Sequence, residues 1–531
     1  MATSHGYNLL RITTVFVYVL LSACGGGGGG SSSGGGGSSG GGGGAVAASG
    51  TISGSVSGTT IIAVNDQGNI VASADTAGRT PDVDTDGNGT PDSFSFTLND
   101  VPLGNDIRVY LVTGGSIYPM YFDTDGDGAS DSNVFVLATG SSTSLALGFV
   151  DVSVVGEGGR AIPQNNPANT SGITTGAAIE EIPPGVNQPP TENLSVAELN
   201  TKGGAALASG WVLGARTYYE AAVQLAANSN SNDADTARFM LALTRVSALG
   251  YDTLSDGNSG DMNRLGDFLD LYGVVDDGTR ANMDLIDIPD ILPNDSPTGN
   301  DLRDFLYGTV RTELMAAVAN LGAVSSAFNA QVTDLFSNDG TVEVDYGDAL
   351  FFSAFFRSVQ AKVEIQAAYY LDVDIDSTNN NGETAQSFLA DNPNLLGAPD
   401  TQKLAEAKAS VNGALDDLDA AIVSITGEAD NQIDDFITID PVEIGASVNE
   451  MQTWITETRD SVAGTSQNIG NVALDLEAFF SGVDIRSTLP PFNGDDAGFF
   501  ADPTMGGVIA DTGHIDVNED ADLNGIPDIT E

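Results

Sequence analysis

Three short segments of the chain place Asp or Asn at every second position and a glycine directly after them. They share the spacing D-x-[DN]-x-[DN]-G-x-x-D and read DTDGNGTPD, DTDGDGASD and DADLNGIPD. Oxygens at this spacing can converge on one hard cation where the glycine allows a sharp turn, and Ca²⁺ accepts about six to eight such oxygens. Without a cation, carboxylates packed this closely repel one another. The spacing therefore predicts three Ca²⁺ sites, whose candidate ligands are Asp82, Asp84, Asp86, Asn88 and Asp92, then Asp123, Asp125, Asp127 and Asp131, and finally Asp520, Asp522, Asn524, Asp528 and Glu531.

These segments resemble thrombospondin type 3 repeats, related bacterial calcium repeats and the first half of an EF-hand loop. A full EF-hand loop carries a bidentate Glu at its twelfth position. The first two segments have Ser95 and Val134 there, and the third has Glu531, the last residue of the sequence. The resemblance thus favours isolated or thrombospondin-like calcium loops over EF-hands. The alternative is that Asp, Asn and Gly only mark solvated turns.

Residues 45–159 are expected to fold as a β-sandwich. Short runs that alternate apolar with small or polar residues are separated by turn residues throughout this stretch. The runs GSVSG and SFSFTLNDVPLGNDIRVYLV resemble carboxypeptidase regulatory-like domains. That resemblance implies a transthyretin-like or Ig-like sandwich used as a stalk or binding module. The first two Asp-rich segments fall between its strands, where a cation would rigidify long connections.

The pattern changes after the sandwich. Residues 160–195 contain EEIPPGVNQPPTEN and are interpreted as a linker. Residues 196–482 show helical periodicity, and 349–370 are expected to form the most buried helix. The segment ARTYYEAAVQLAANSNSNDADTARFMLALTRV resembles a tetratricopeptide helix–turn–helix, so we expect an irregular, repeat-like, all-α domain. Residues 483–531 are expected to be an extended C-terminal segment that carries the third calcium loop.

The N-terminus has the layout of an exported, lipidated chain. Residues 1–23 place one basic residue before a short apolar stretch, as in a secretory signal peptide. Leu21-Ser22-Ala23-Cys24 resembles the lipobox of bacterial lipoproteins, which implies that Cys24 is acylated. Residues 24–44 would then be the lipidated cysteine and a flexible Gly/Ser tether. Gly25 after the cysteine favours the outer membrane and leaves its periplasmic or surface face open. The alternative is an ordinary signal peptide with an incidental cysteine.

Composition narrows the function classes. The chain has 18 Lys+Arg against 73 Asp+Glu, a formal charge of −55, which argues against nucleic acid as a partner. One cysteine and two histidines exclude an intramolecular disulfide and a thiolate zinc site. Carboxylate catalysis, as in glycosidases, remains open. We therefore expect a non-enzymatic, calcium-binding envelope lipoprotein with an unknown protein or glycan partner. The alternative is a carboxylate-dependent hydrolase of polysaccharides, for which the sequence selects no catalytic pair.

Overall fold

The computed structural model describes much of the chain between residues 49 and 509. The described residues are 49–76, 79–85, 87–113, 116–126, 130–139, 144–154, 159–179, 186, 188–208, 210–227, 229–250, 267–268, 271–272, 296–333, 341–373, 391–428, 436–437, 447–469, 472–488 and 504–509. A β-sheet-rich region precedes a helical region, which confirms the two-part architecture that the sequence predicts. The chain divides into two compact units, one holding most residues up to 258 and the other most residues from 259 onward.

The strands of the first unit form where apolar and polar residues alternate, because successive side chains of a strand point to opposite faces. In the strand Phe94–Pro102, for example, Phe96 and Leu98 are buried and Thr97 is exposed. The strands are β1 (Ser49–Val56), β2 (Thr60–Asn65), β3 (Ile70–Asp75), β4 (Phe94–Pro102), β5 (Asp106–Thr113), β6 (Ser116–Pro119), β7 (Phe135–Leu137), β8 (Ser144–Val154), β9 (Gly159–Pro163) and β10 (Ile173–Thr175).

These strands make two sheets around one apolar core. The first sheet has the order β4-β1-β8-β9, and the second has the order β10-β7-β5-β2-β3, with β6 also paired to β5. Strands β1 and β8 run parallel, whereas the neighbouring pairs β1–β4 and β8–β9 are antiparallel. Ile52 and Leu145 from the first sheet share a buried cluster with Ile61, Val109 and Phe135 from the second. Strands β9 and β10 lie in the stretch predicted as a linker, so part of that stretch belongs to the sheets.

Three helices follow the strands in the first unit: α1 (Val196–Ala208), α2 (Val212–Leu225) and α3 (Asn232–Ala248). Helices α1 and α2 pack closely because Gly203 has no side chain. A Cβ at this position would lie 2.6 Å from the ring of Tyr219. The hydroxyl of Tyr218 on α2 hydrogen-bonds to Ser73 on β3, and burial raises the pKa of that hydroxyl. The second and third helices are joined by a short turn.

The second unit contains helices and short strands. Its long helices begin at capping side chains: Asp345 precedes one and Asp400 the other, and each accepts backbone N–H bonds of the first turn. The elements are α4 (Gly299–Phe305), α5 (Arg311–Leu321), β11 (Asn329–Thr333), β12 (Thr341–Asp345), α6 (Tyr346–Ala368), α7 (Thr401–Gly427), α8 (Ser447–Val462), β13 (Gln467–Ile469), β14 (Val472–Leu474), α9 (Leu476–Phe480) and α10 (Ile485–Thr488), where β11 and β12 straddle the division between the units.

Helix α6 covers the segment that the sequence analysis predicts to be the most buried helix. Phe352 and Phe356 on this helix are fully buried, and so is the charged residue Glu364. None of the helices in the described ranges is both long enough and apolar enough to cross a bilayer.

Candidate metal-binding loops

The first Asp loop, residues 82–93, joins β3 to β4. A single antiparallel bridge between Val83 and Ser93 closes its base, with N–O distances of 3.0 Å in both directions. Inside the loop, the two carboxylate oxygens of Asp84 accept the backbone N–H groups of Gly87 and Gly89, each at 2.7 Å. Both glycines have positive φ angles, of 74° and 89°, which a side chain would disfavour. The loop therefore wraps its backbone around one carboxylate.

The described part of the second Asp loop, residues 122–126 and 130–132, repeats several of these contacts. The bridge at its base joins Phe122 to Ser132, with N–O distances of 2.8 and 3.1 Å. Asp123 takes the part of Asp84 and accepts the N–H of Gly126 at 2.6 Å, and Gly126 again has a positive φ, of 82°. In their described parts, the segments VDTDGNGTPDS and FDTDGDGASDS thus share the closing bridge and the bond from a glycine N–H to the first Asp.

The last Asp of each loop closes it from the other side. The Thr85 N–H and hydroxyl donate to Asp92 at 3.0 and 2.7 Å. In the second loop the Thr124 N–H and hydroxyl donate to Asp131, both at 2.8 Å. The bonds from Thr85 hold the pKa of Asp92 below its ordinary value. The first loop therefore favours an ionised carboxylate at this position, as a cation ligand requires.

Asp82, the first candidate ligand of the first loop, bonds to the base of the loop. Its carboxylate accepts the Ser95 N–H at 2.6 Å and also the Ser95 hydroxyl, and these bonds lower its pKa. Arg79 lies 3.4 Å from the same carboxylate. Asp82 thus bonds the loop to the start of β4. The other described candidate ligands, Asp84, Asn88 and Asp92, lie farther from the strands, toward the tip of the loop.

The second Asp loop connects two short strands that pair with the same edge of β5. β6 and β7 both pair with β5, β6 opposite residues Tyr110–Thr113 and β7 opposite Asp106–Ile107. The chain leaves the edge of β5 after β6, makes the loop, and returns to the same edge as β7. Asn166 donates to the backbone carbonyl of Asp123, and Arg160 donates to that of Ser130 at 3.5 Å. The residues around β9 therefore hold both arms of this loop.

The candidate ligands of the two Asp loops are of the chemical types that calcium binds, because this hard cation takes carboxylate, amide and backbone oxygens. Among the described residues, no three His, Cys, Asp or Glu side chains are close enough together to hold a metal ion. Asp86 and Asp127, the central ligands that the spacing predicts, lie outside the described residues. So do Cys24 and the third loop with Asp520, Asp522, Asn524, Asp528 and Glu531. The described atoms thus give the loop conformation without a complete set of ligands.

A second polar cluster, in the helical unit, was not identified from the sequence. Arg311 on α5 donates from Nε to Glu364 on α6 at 2.6 Å and from Nη2 to Glu406 on α7 at 3.0 Å. Tyr307 donates its hydroxyl to Glu406 at 2.6 Å, and burial, together with this bond, raises the pKa of Tyr307 to about 12. The one available signal was a Glu inside FFSAFFRSVQAKVEIQAA, the segment predicted to be the most buried helix.

Comparison of the chain with protein-family models, curated proteins and solved structures gives no match.

Proposed function

We propose that this protein is a calcium-binding, membrane-anchored lipoprotein of the bacterial cell envelope that acts as a non-enzymatic binding, adhesion or scaffolding protein. The observation that carries the proposal is the equivalence of the two Asp loops. Two separate connections of the sheets fold around an Asp–Gly–Asp framework with the same closing bridge and the same Thr-to-Asp bonds. Because ordinary turns reach many conformations, this repetition favours a shared ligand over two unrelated solvated turns.

Calcium would act here mainly on stability. Each loop concentrates carboxylates whose mutual repulsion a divalent cation would offset. A partner's carboxylate or sugar hydroxyl could complete the coordination, which would give a protein or glycan partner a calcium-dependent contact. The stalk-like role is supported by the two sheets around a shared core, for which we propose a transthyretin-like or Ig-like sandwich.

The helical part is proposed to provide the partner-binding surface. Helices α2 and α3, joined by a short turn, support a tetratricopeptide-like helix pair within an irregular, repeat-like array. Acylation of Cys24 would anchor the chain, since each buried CH₂ contributes about 0.8 kcal/mol of membrane affinity. Residues 25–44 would then separate the folded part from the outer membrane, on its periplasmic or surface face.

The alternative function is a carboxylate-dependent hydrolase of polysaccharides. It requires two carboxyl groups that face a substrate. Glu364 and Glu406 approach the same arginine, but the side chain of Glu364 is 0% exposed and also accepts bonds from Gln360 and Ser410. This pair therefore does not supply the acid and base of a hydrolase.

The test is isothermal titration of the full chain with CaCl₂, combined with melting curves in calcium and in chelator. We expect about three saturable sites, one for each Asp loop. A site that binds only the folded state stabilises it by about 2.7 kcal/mol at a hundredfold excess of ligand over Kd. The melting transition of the sheet-containing unit should therefore rise in calcium, and Mg²⁺ should reproduce the effect only weakly.

Matched variants assign the sites. Asp123→Asn should remove one site, whereas Asp66→Asn, which changes an exposed acid in the β2–β3 turn, should remove none. Loss of a site in both variants would indicate binding by general acidity. Absence of saturable binding at millimolar calcium would reduce the Asp loops to hydrogen-bonded turns and would end the proposal.

A further inference from the structure

The connection between α4 and α5 is a π-helical turn, Leu306–Val310. A π-helix bonds residue i to i+5 and so holds more residues per turn than an α-helix. Residues 299–321 therefore form one helical rod that contains one residue more than an unbroken α-helix with the same end points would need. Gly308 is exposed within this turn, and a Cβ there would meet no atom within 4 Å.

The two sides of the turn are held by different neighbours. On the α4 side, the N–H of Gly299 donates to the carbonyl of Val373 at 3.1 Å, and the ring of Phe305 lies 4.5 Å from that of Phe268. On the α5 side, Leu314 and Leu321 are buried. Both helices thus have fixed positions, and the turn must absorb any mismatch between them.

Helical geometry explains why a mismatch exists. Leu314 follows Phe305 by nine residues. At about 100° per residue, an unbroken α-helix would put these two buried side chains on opposite faces, about 180° apart. With one residue taken up by the π-turn, the separation falls to about 80°. The π-turn therefore lets one rod bury apolar residues on both sides of the break.

Polar contacts fix the two ends of the turn. Tyr307, near its start, donates to Glu406, and Arg311, the residue after its end, donates to both Glu406 and Glu364. The Arg311 guanidinium also lies 4.8 Å from the centre of the Tyr307 ring. Since Glu364 and Glu406 belong to the paired helices α6 and α7, both ends of the turn are bonded to one rigid support.

We propose that Leu306–Val310 is a register latch. The contacts of Tyr307 and Arg311 keep the extra residue inside the turn. When they are released, the residue leaves the turn, and α4 shifts against α5 by one position, which is a rotation of about 100° and a rise of about 1.5 Å. That rotation would break the hydrogen bond from Gly299 to Val373 and the ring contact between Phe305 and Phe268. Helix α4 is therefore released while α5, α6 and α7 stay packed.

Hydrogen exchange of the full chain, read by mass spectrometry, tests the latch. Glu406→Ala removes the acceptor of Tyr307 and one of the two acceptors of Arg311, at a position whose side chain is 29% exposed, so the chain should still fold. We expect exchange of residues 299–310 to rise by at least about tenfold relative to 314–321, because two bonds to a charged group are lost. Equal acceleration of the two segments, or none, would overturn the proposal.

Asp417→Ala is the matched control. Asp417, also on α7, is 22% exposed and accepts bonds from Arg357 at 2.7 Å and Ser353 at 2.6 Å, away from the turn. It should weaken the α6–α7 contact without selective exchange at 299–310. Selective exchange in this variant would show that α4 responds to any loosening of α6–α7, which contradicts a latch.

Deletion of Gly308 is the second test, because it removes the extra residue itself. The rod should then be a continuous α-helix with both flanks in place. Glu406→Ala made in this background should no longer release residues 299–310 selectively. Persistence of the selective release would show that the extra residue is not its cause.

Discussion

The two sheets and the helices around α7 place their charges differently. In the sheets, the shared core is apolar, and the described ion pair Arg79–Asp82 lies on the surface, with both side chains 43% exposed. In the helical unit, cations reach across from one helix to another. Within the described ranges α7 alone takes part in four such pairs: Arg311–Glu406, Arg357–Asp417, Lys408–Glu477 and Arg459–Asp416.

The difference shows where a very acidic chain places its few Lys and Arg side chains. With 18 Lys+Arg against 73 Asp+Glu, most acids cannot have a basic partner. In the sheet region, many acids lie in the two Asp loops, where Asp84, Asp92 and Asp131 are exposed to solvent. In the helical unit, by contrast, four acids on α7 or on a helix beside it each pair with a base across a helix contact. The comparison predicts distinct responses to mutation, salt and pH.

The largest effect is expected from breaking the buried ion pair. Glu364→Ala removes the fully buried acceptor shared by Arg311, Gln360 and Ser410, and each buried donor left without a partner costs about 1–3 kcal/mol. Denaturant unfolding should show the loss in the helical unit and not in the sheets. Phe135→Ala, which opens the sheet core at a comparable cost of about 3–5 kcal/mol, should give the reverse pattern. A single transition shifted equally by both variants would mean that the two units unfold as one.

Glycine substitutions should have a smaller, graded effect. Gly203→Ala drives a Cβ to 2.6 Å from the rigid ring of Tyr219, and overpacking of this kind costs about 1–3 kcal/mol. Gly413→Ala on α7 meets the end of the flexible Arg357 side chain at 2.9 Å, which can move aside. Its cost should stay below about 1 kcal/mol and be offset by alanine's higher helix propensity. Melting temperatures of the two variants give the comparison, and a larger loss at Gly413 would contradict it.

Salt should weaken the helical unit selectively. An exposed ion pair contributes about 0.2–1 kcal/mol, and 1 M salt shortens the screening length to about 3 Å. Arg459→Met should therefore lower stability slightly in dilute buffer and have no effect at about 1 M NaCl. Urea unfolding at both salt concentrations measures this. Arg79→Met removes a similarly exposed pair in the sheets and should show a salt-dependent loss of the same small size. In the unaltered chain, the helical unit has four described pairs at α7 and should lose more stability in salt than the sheets, and an equal loss would remove the distinction between the regions.

The smallest effects concern pH, and two acids of the sheets should respond with opposite signs. Burial raises the pKa of Asp75, so its contribution is favourable at low pH and is lost as pH rises through the folded-state value. Asp75→Asn should accordingly stabilise the protein at pH 7, and the gain should vanish below about pH 4. Bonds from Ser95 lower the pKa of Asp82, whose contribution is present at pH 7 and lost as acid protonates it. Asp82→Asn should destabilise at pH 7, with no difference in acid, as melting curves across pH will show.

The strands were predictable because their burial repeats every second residue, as at Phe96 and Leu98. The Asp loops were predictable because turn chemistry is local: Asp84 and Gly87 lie three residues apart and bond directly. The cluster of Arg311, Glu364 and Glu406 was not, because its members lie on three helices. The sequence alone does not tell a buried Glu from a surface Glu, because the burial depends on how α5, α6 and α7 pack. The π-turn also escaped, because nothing in LYGTV forbids an α-helix.

The parallel pairing of β1 with β8 has a consequence for how the chain folds. Thr51, near the start of the described chain, pairs with Ser144, so the central strand of the first sheet receives one neighbour only after the loops and strands between them exist. Contacts between such distant residues form slowly, because a long chain segment must be closed first. We therefore expect the hairpin of β2 and β3 to form early and the first sheet to close last. Until it closes, β1 presents an unpaired strand edge, which makes this the stage at which the chain is most exposed to aggregation.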